Sequence, residues 1–421
     1  MNLNPKIFII VVVCCSIFSN VAAQQKDYLL FETEYSAGKI VPNYTKIFPS
    51  SSVQQALTLS IGKQSADTTN WGRYYRFPET GVSIFASNLG NNKVFGNQFS
   101  FLPFIRFKVL NQTKPLYIKL ALGVTYFTTH FDSINNIENL SNGSSFTWGF
   151  QAMLYKTIYQ KDNFNLKIMG GYSHHSNGHT QIPNFGLNSA LFGISAQWKK
   201  DEKVRSGKTE DRSWDPSADG GRQKLETSNS KLPTSDFGLR TSLKKYFINY
   251  REGLGFHELG ATDIPVGGGK KLVYTSSLSF GLLFNNHIKW KTGFSYRYYE
   301  HYYNYIQQNN LAAFKDNPEW SASNIYFFTG VEFLMNHISI DVEGGLNLYK
   351  PFYETFNNDF QKDEDVAYQL KKWFNARLGL NYYIANTIKS PTHNVFLGAH
   401  INANFGQADF TEFSMGYVYS F

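Results

Sequence analysis

The chain has 421 residues and a formal net charge of +8, with 17% aromatic and only 17% charged residues. A typical soluble domain carries about 25% charged residues, and the mean hydropathy here is nonetheless negative. Apolar residues are therefore interleaved with Asn, Ser, Thr and Gly rather than gathered in long runs, which argues against an ordinary soluble enzyme and against a helical membrane protein.

Residues 1–23 read as a secretory signal: a lone Lys6, an apolar run over 7–18, and Val21-Ala22-Ala23 as a small-residue cleavage site. The run is shorter than the roughly 20 residues a bilayer span needs. Cys14 and Cys15, the only cysteines, lie inside it, so the mature chain has neither disulfides nor thiolate metal sites. Val13 before Cys14 is too bulky for a lipoprotein cleavage site. Export makes nucleic acid an improbable partner. The net positive charge suits anionic phosphates on a lipopolysaccharide surface, and equally a solvated one.

Strands are predicted at 29–37, 56–62, 81–86, 98–109, 116–128, 145–157, 164–176 and 186–198 from alternation of apolar and polar residues. Phe31, Thr33 and Tyr35, for example, oppose Glu32, Glu34 and Ser36. The polar stretch 199–235 interrupts the pattern and reads as a loop or linker. Alternation resumes in 236–421. There Lys289, Arg297, Asp341, Glu343 and Arg377 occupy one face of their strands, opposite rows such as Ile338, Ile340, Val342 and Leu346. A polar lumen explains charges on one face better than a dry core. Asn285-Asn286 and Met335-Asn336 mark tight turns, whereas 301–322 and 350–372 are long connections. Phe413, Met415, Tyr417, Tyr419 and Phe421 end the chain on one face. Such a last strand resembles the terminal signal that barrel-assembly machinery reads in bacterial outer-membrane proteins. The predicted fold is all-β: an antiparallel transmembrane β-barrel of about 16 strands in the bacterial outer membrane. Eight strands fall in 24–198 and a further set in 236–421, and one wide barrel is favoured over two.

In 164–176 the apolar row Phe164, Leu166, Ile168, Gly170 and Tyr172 continues into His174 and Ser176. On a barrel that row faces lipid, at the outer-leaflet end by strand parity, where polar groups without partners cost several kcal/mol each. One reading is a pair of interfacial polar residues. The other is a serine hydrolase acting on a lipid, with Ser176 as nucleophile, His174 as general base, and Asn188 on the next strand beside the imidazole. Asn177 and the backbone N–H groups of Gly178 and His179 are candidates for an oxyanion hole. His174, His175 and His179 cluster in sequence, but their alternation makes a shared metal ion improbable.

The stretch from Tyr172 to Asn188 resembles the outer-membrane lipid A 3-O-deacylases of the PagL type. The matching positions are His174, Ser176, Asn177, Pro183, Asn184 and Gly186; more loosely, the resemblance covers 27–198 and leaves 236–421 unexplained. It implies an eight-stranded barrel unit, Ser176 and His174 as catalytic residues, Asn177 as an oxyanion residue, lipid A of lipopolysaccharide in the outer leaflet as substrate, and no cofactor. Where that family has Glu, this chain has Asn188; Asp132 in the loop after 116–128 is a candidate substitute acid. Two other readings stay open: an esterase for phospholipids, and a transport or structural barrel with a degenerate hydrolase motif.

Overall fold

The computed structural model describes residues 28–42, 48–64, 70–110, 115–201, 244–263 and 265–421. The expected signal at 1–23 and most of the polar stretch, 202–243, lie outside the described residues. The first strands are β1 (Tyr28–Val41), β2 (Gln54–Gln64), β3 (Glu79–Asn88), β4 (Asn97–Leu110), β5 (Leu116–Phe127), β6 (Phe146–Lys161), β7 (Phe164–Ser176) and β8 (Leu187–Asp201). The second set is β9 (Lys244–Gly260), β10 (Pro265–Phe284), β11 (Ile288–Tyr299), β12 (Ser323–Met335), β13 (Ile338–Tyr349), β14 (Phe374–Tyr383), β15 (His393–Asn404) and β16 (Gln407–Ser420). All neighbours pair antiparallel in chain order, and each set closes on itself.

The single wide barrel expected from the sequence is thus corrected to two barrels of eight strands. β8 returns to β1 in unbroken register from Val41↔Asn188 to Tyr28↔Asp201, and β16 returns to β9 from Thr411↔Phe256 to Ser420↔Phe247. The physical reason lies in the lumen. Eight strands enclose a space that side chains alone can fill. Arg106 on β4 meets Glu79 on β3 at 2.9 Å and also Glu32 on β1. Lys119 on β5 reaches across the barrel to Glu34 on β1 at 3.2 Å, and Lys167 on β7 reaches Glu32 at 2.9 Å. Opposite walls can exchange ion pairs only when the barrel is narrow.

The second barrel repeats the device. Arg251 on β9 pairs across the lumen with Glu343 on β13 at 2.9 Å, and Lys291 on β11 joins Glu343 at 2.7 Å. Arg377 on β14 bridges Asp341 at 3.1 Å and Glu412 at 3.0 Å. Lys289 and Arg297 are buried as well, against the Tyr383 hydroxyl at 2.7 Å and Asn402 at 2.7 Å. The charges that suited a channel in the sequence are therefore the packed filling of the second barrel's lumen.

The connections at the two ends differ. Asn285-Asn286 and Asn336 turn tightly with positive φ, and α1 (Asn70–Tyr74) lies at the same end. At the other end, the two connections expected to be long carry helices: α2 (Glu300–Gln308), α3 (Pro318–Ser321), α4 (Tyr353–Phe356) and α5 (Asp365–Trp373). Tyr302, Ile306, Phe352, Phe356 and Phe410 pack there as an aromatic cap over the second barrel's mouth.

Replacing one member of a buried ion-pair network leaves its partners charged and unpaired. Arg106→Met should lower the unfolding free energy of the first barrel by about 3–5 kcal/mol, read as a shifted urea midpoint; a shift worth less than about 1 kcal/mol would contradict the role given to the lumen charges.

Candidate active site

On β7 the period-two alternation puts Ile168 and Tyr172 outward, 48% and 41% exposed, while Ser173 and His175 face the lumen with none. His174 and Ser176 share the outward row at the long-loop end. Register places His174 opposite Asn188 on β8, and the two side chains meet: His174 Nδ1 lies 2.6 Å from Asn188 Oδ1. The Tyr172 hydroxyl donates to the same oxygen at 2.6 Å. With Oδ1 taken by two donors, the proton of the ring sits on Nδ1 and Nε2 keeps its lone pair. Among the described residues Nε2 makes no hydrogen bond.

Gly186 gives the imidazole its room. Its φ is +72°, and an added Cβ would lie 2.9 Å from His174 Cε1 and 2.8 Å from the His175 carbonyl oxygen. The glycine of the motif is thus required twice, by a left-handed backbone and by a ring packed against it.

Ser176 is buried under the 177–186 loop. Its Oγ accepts the Gly178 N–H at 3.2 Å and the Asn184 amide Nδ2–H at 3.0 Å. Asn184 Oδ1 takes the Asn177 N–H at 3.1 Å and lies 3.2 Å from Ser176 Oγ. His174 and Ser176 are not hydrogen-bonded to each other here; such pairs commonly close only around substrate. The Asn177 side chain turns away from Ser176, donating to Gln181 O at 2.6 Å.

The three clustered histidines go to three environments. His174 faces outward. His175 is locked in the lumen by Thr125 at 3.0 Å and Ser173 at 2.9 Å. His179 stacks toward His257 of the second barrel at 5.3 Å between ring centroids, and burial holds it down to about 4, so it docks uncharged. Asp132 is exposed and accepts the N–H groups of Ile134 and Asn135 at 2.9 and 2.7 Å. It closes its own turn and makes no hydrogen bond to His174.

The chain's two halves match two family descriptions. Residues 61–197 match lipid A 3-O-deacylase (PagL), and residues 246–421 match the acyloxyacyl hydrolase C-terminal domain. Together these matches cover well over half of the chain. The protein belongs to the PagL-type lipid A deacylase family. Membership places it in the bacterial outer membrane with a deacylase-type role on lipid A. No curated protein matches the chain. Among solved structures, Omp33 of Acinetobacter baumannii is 6% identical, over 95% of this chain and 100% of that one, with a TM-score of 0.15. OccAB4 of the same organism is 9% identical, over 96% and 100%, with a TM-score of 0.20. Similarity at that level carries no argument.

Within this PagL-type site, several contacts were not singled out by sequence reasoning. Tyr172 was visible only as an apolar-row residue, and Asn184 only as a matching motif position. Trp148, opposite Ser176 on the neighbouring strand, and Thr411, from the other barrel, meet next to the Asn177 carbonyl. The one available signal for Thr411 is that it breaks an outward row otherwise built of Phe413, Met415, Tyr417 and Tyr419. Gly186→Ala should displace the His174 ring and cut deacylation roughly 10²-fold, the scale of a 1 Å misplacement. Lipid A mass spectra of cells making the folded variant would show it, and parental deacylation would mean the ring does not depend on that glycine.

Proposed function

We propose that the protein is an outer-membrane serine esterase that removes an ester-linked acyl chain, the 3-O chain, from lipid A in the outer leaflet. The observation that supports it most is the outward row itself. A hydroxyl and an imidazole stand two positions apart on the lipid side of β7, and the imidazole Nδ1 is held by Asn188 at 2.6 Å. A position on the lipid side of the barrel wall suits an acyl ester held in the outer leaflet.

In this reading His174 Nε2 takes the Ser176 proton as Oγ attacks the ester carbonyl. The Gly178 N–H and the Asn184 amide, which donate to Ser176 Oγ at 3.2 and 3.0 Å in the free site, pass to the neighbouring carbonyl oxygen as Oγ bonds its carbon, and so support the oxyanion. Collapse of the tetrahedral adduct expels the sugar hydroxyl, which receives the proton from His174, and leaves an acyl ester on Ser176. Water, deprotonated by His174, then releases the fatty acid and regenerates Ser176.

Asn188 orients the ring but carries no charge to balance the imidazolium that forms. In a serine protease the corresponding Asp-to-Asn change lowers kcat by about 10⁴ by favouring the wrong tautomer. Here the Tyr172 hydroxyl on Oδ1 supports the useful one, so the deficit is chiefly electrostatic.

Two outcomes follow for lipid A mass spectrometry of cells carrying each variant. Ser176→Ala should assemble normally and abolish the loss of one hydroxyacyl chain, a fall of at least about 10³-fold; deacylation by that variant would remove Ser176 from the mechanism. Asn188→Asp, which restores a charge beside the ring, should raise the rate about tenfold or more. A rate below the parent's would show that the amide is required as it stands.

A further inference from the structure

The second barrel presses on the loop that follows the nucleophile. Asn184 N donates to Thr262 O at 2.8 Å, and Glu258 N to His179 O at 3.3 Å. Ile182 N donates to the Glu258 carboxylate at 2.6 Å. These bonds hold the loop between residues 179 and 184 against the outer ends of β9 and β10, but they stop short of Ser176. A further contact, from β16, falls on the peptide unit whose N–H donates to Ser176 Oγ.

Thr411 lies on the outward row of β16. Further along that row Phe413 and Met415 are 56% and 60% exposed, whereas Thr411 is 6% exposed because the first barrel covers it. Its Oγ1 accepts the Trp148 indole N–H at 3.0 Å and donates to the Asn177 carbonyl oxygen at 3.2 Å. Trp148 in turn sits on β6 directly opposite Ser176. The indole occupies a lone pair of the hydroxyl, which directs the hydroxyl proton at Asn177 O.

That carbonyl belongs to the same peptide unit as the Gly178 N–H. In a planar trans peptide the two bonds point in opposite directions, so anchoring one end aims the other. The Gly178 N–H is aimed at Ser176 Oγ, 3.2 Å away. A hydrogen bond to the carbonyl also polarises the N–H at the far end of the unit. The approach is close: at Gly178, with φ +67°, an added Cβ would lie 2.4 Å from Thr411 Oγ1.

We propose that Thr411 of the second barrel is a positioning residue for the oxyanion-binding peptide of the first, the site's Asn177–Gly178 unit. This rests on the Ser176 esterase reading above. The second barrel then completes the active site without contributing a group that touches the substrate.

The test uses the full-length protein, folded in detergent, with lipid A in mixed micelles as substrate. Three variants are compared with the parent: Thr411→Val, which keeps the shape and removes the hydroxyl, Thr411→Ser, which restores the hydroxyl, and Ser176→Ala. Thr411→Val should lower kcat about tenfold or more with KM changed less than twofold, since a lost oxyanion donor costs about 10²–10³ and this one is misaimed rather than lost. Thr411→Ser should recover most of the rate. A Thr411→Val variant with parental kcat, or one that changes KM alone, overturns the proposal, as does a Ser variant as slow as the Val one. Should Thr411→Val fail to assemble, Thr411→Ala removes the same hydroxyl with a smaller side chain: a lowered kcat that Thr411→Ser restores supports the proposal and a parental one overturns it. An active Ser176→Ala protein would instead sink the esterase reading itself, whereas an inactive one beside a fully active Thr411→Val isolates the failure to Thr411.

Discussion

Ion pairs across two narrow lumens are the constraint on which this structure depends. In a bilayer every backbone N–H and C=O needs a partner within the protein, and a sheet of any sufficient width can close to supply them. What selects eight strands here is the set of charges inside. Lys119 can meet Glu34, and Arg251 can meet Glu343, only when opposite walls stand a side chain's length apart. With the width set, register follows, because a slip of one residue would turn the Glu32–Glu34 row outward into lipid and the Phe31–Tyr35 row into the lumen.

Register in turn decides what the outward row of β7 can do. The same alternation that sends Ile168 and Tyr172 to lipid sends His174 and Ser176 there, and the β7–β8 pairing delivers Asn188 to the imidazole. A polar cluster at the lipid face would be costly if unpaired, yet each member is engaged: Asn188 by Tyr172 and His174, Ser176 by Gly178 and Asn184. His174 Nε2 makes no hydrogen bond among the described residues, and neither does the buried Asn177 Oδ1. A free base beside a buried hydroxyl is what nucleophilic attack on a membrane ester calls for.

Period-two patterns told most of this from the sequence alone. They identified the strands, separated lumen charges such as Asp341 and Arg377 from lipid-facing rows, and put His174, Ser176 and Asn188 on the same side of adjacent strands. They did not determine which strands close the sheet, because β1 alternates equally well beside β8 or β16; only the reach of Lys119 and Arg106 across the lumen distinguishes these. The helices α2 and α5 were not read from the sequence: α2 buries Tyr302 and Ile306 in the cluster over the second barrel's mouth, a contact that no local pattern announces, whereas α5 buries no side chain. Asp132 was a candidate acid because sequence does not reveal that its Oδ1 accepts two backbone N–H groups of its own turn. Trp148 and Thr411 are far apart in the chain, and no local spacing predicts that they would meet beside Ser176.

The seam between the barrels gives residues 246–421 a place in the same account: the second barrel braces the loop that follows Ser176. The central claim remains that Ser176 is activated on the lipid-facing side. Reaction of the folded protein with a lipid-tailed fluorophosphonate, followed by peptide mass spectrometry, measures that most directly. The account predicts one adduct, on Ser176, lost when His174 is replaced by Ala; an adduct at another residue, or unmodified Ser176 in a protein that still deacylates lipid A, would contradict it.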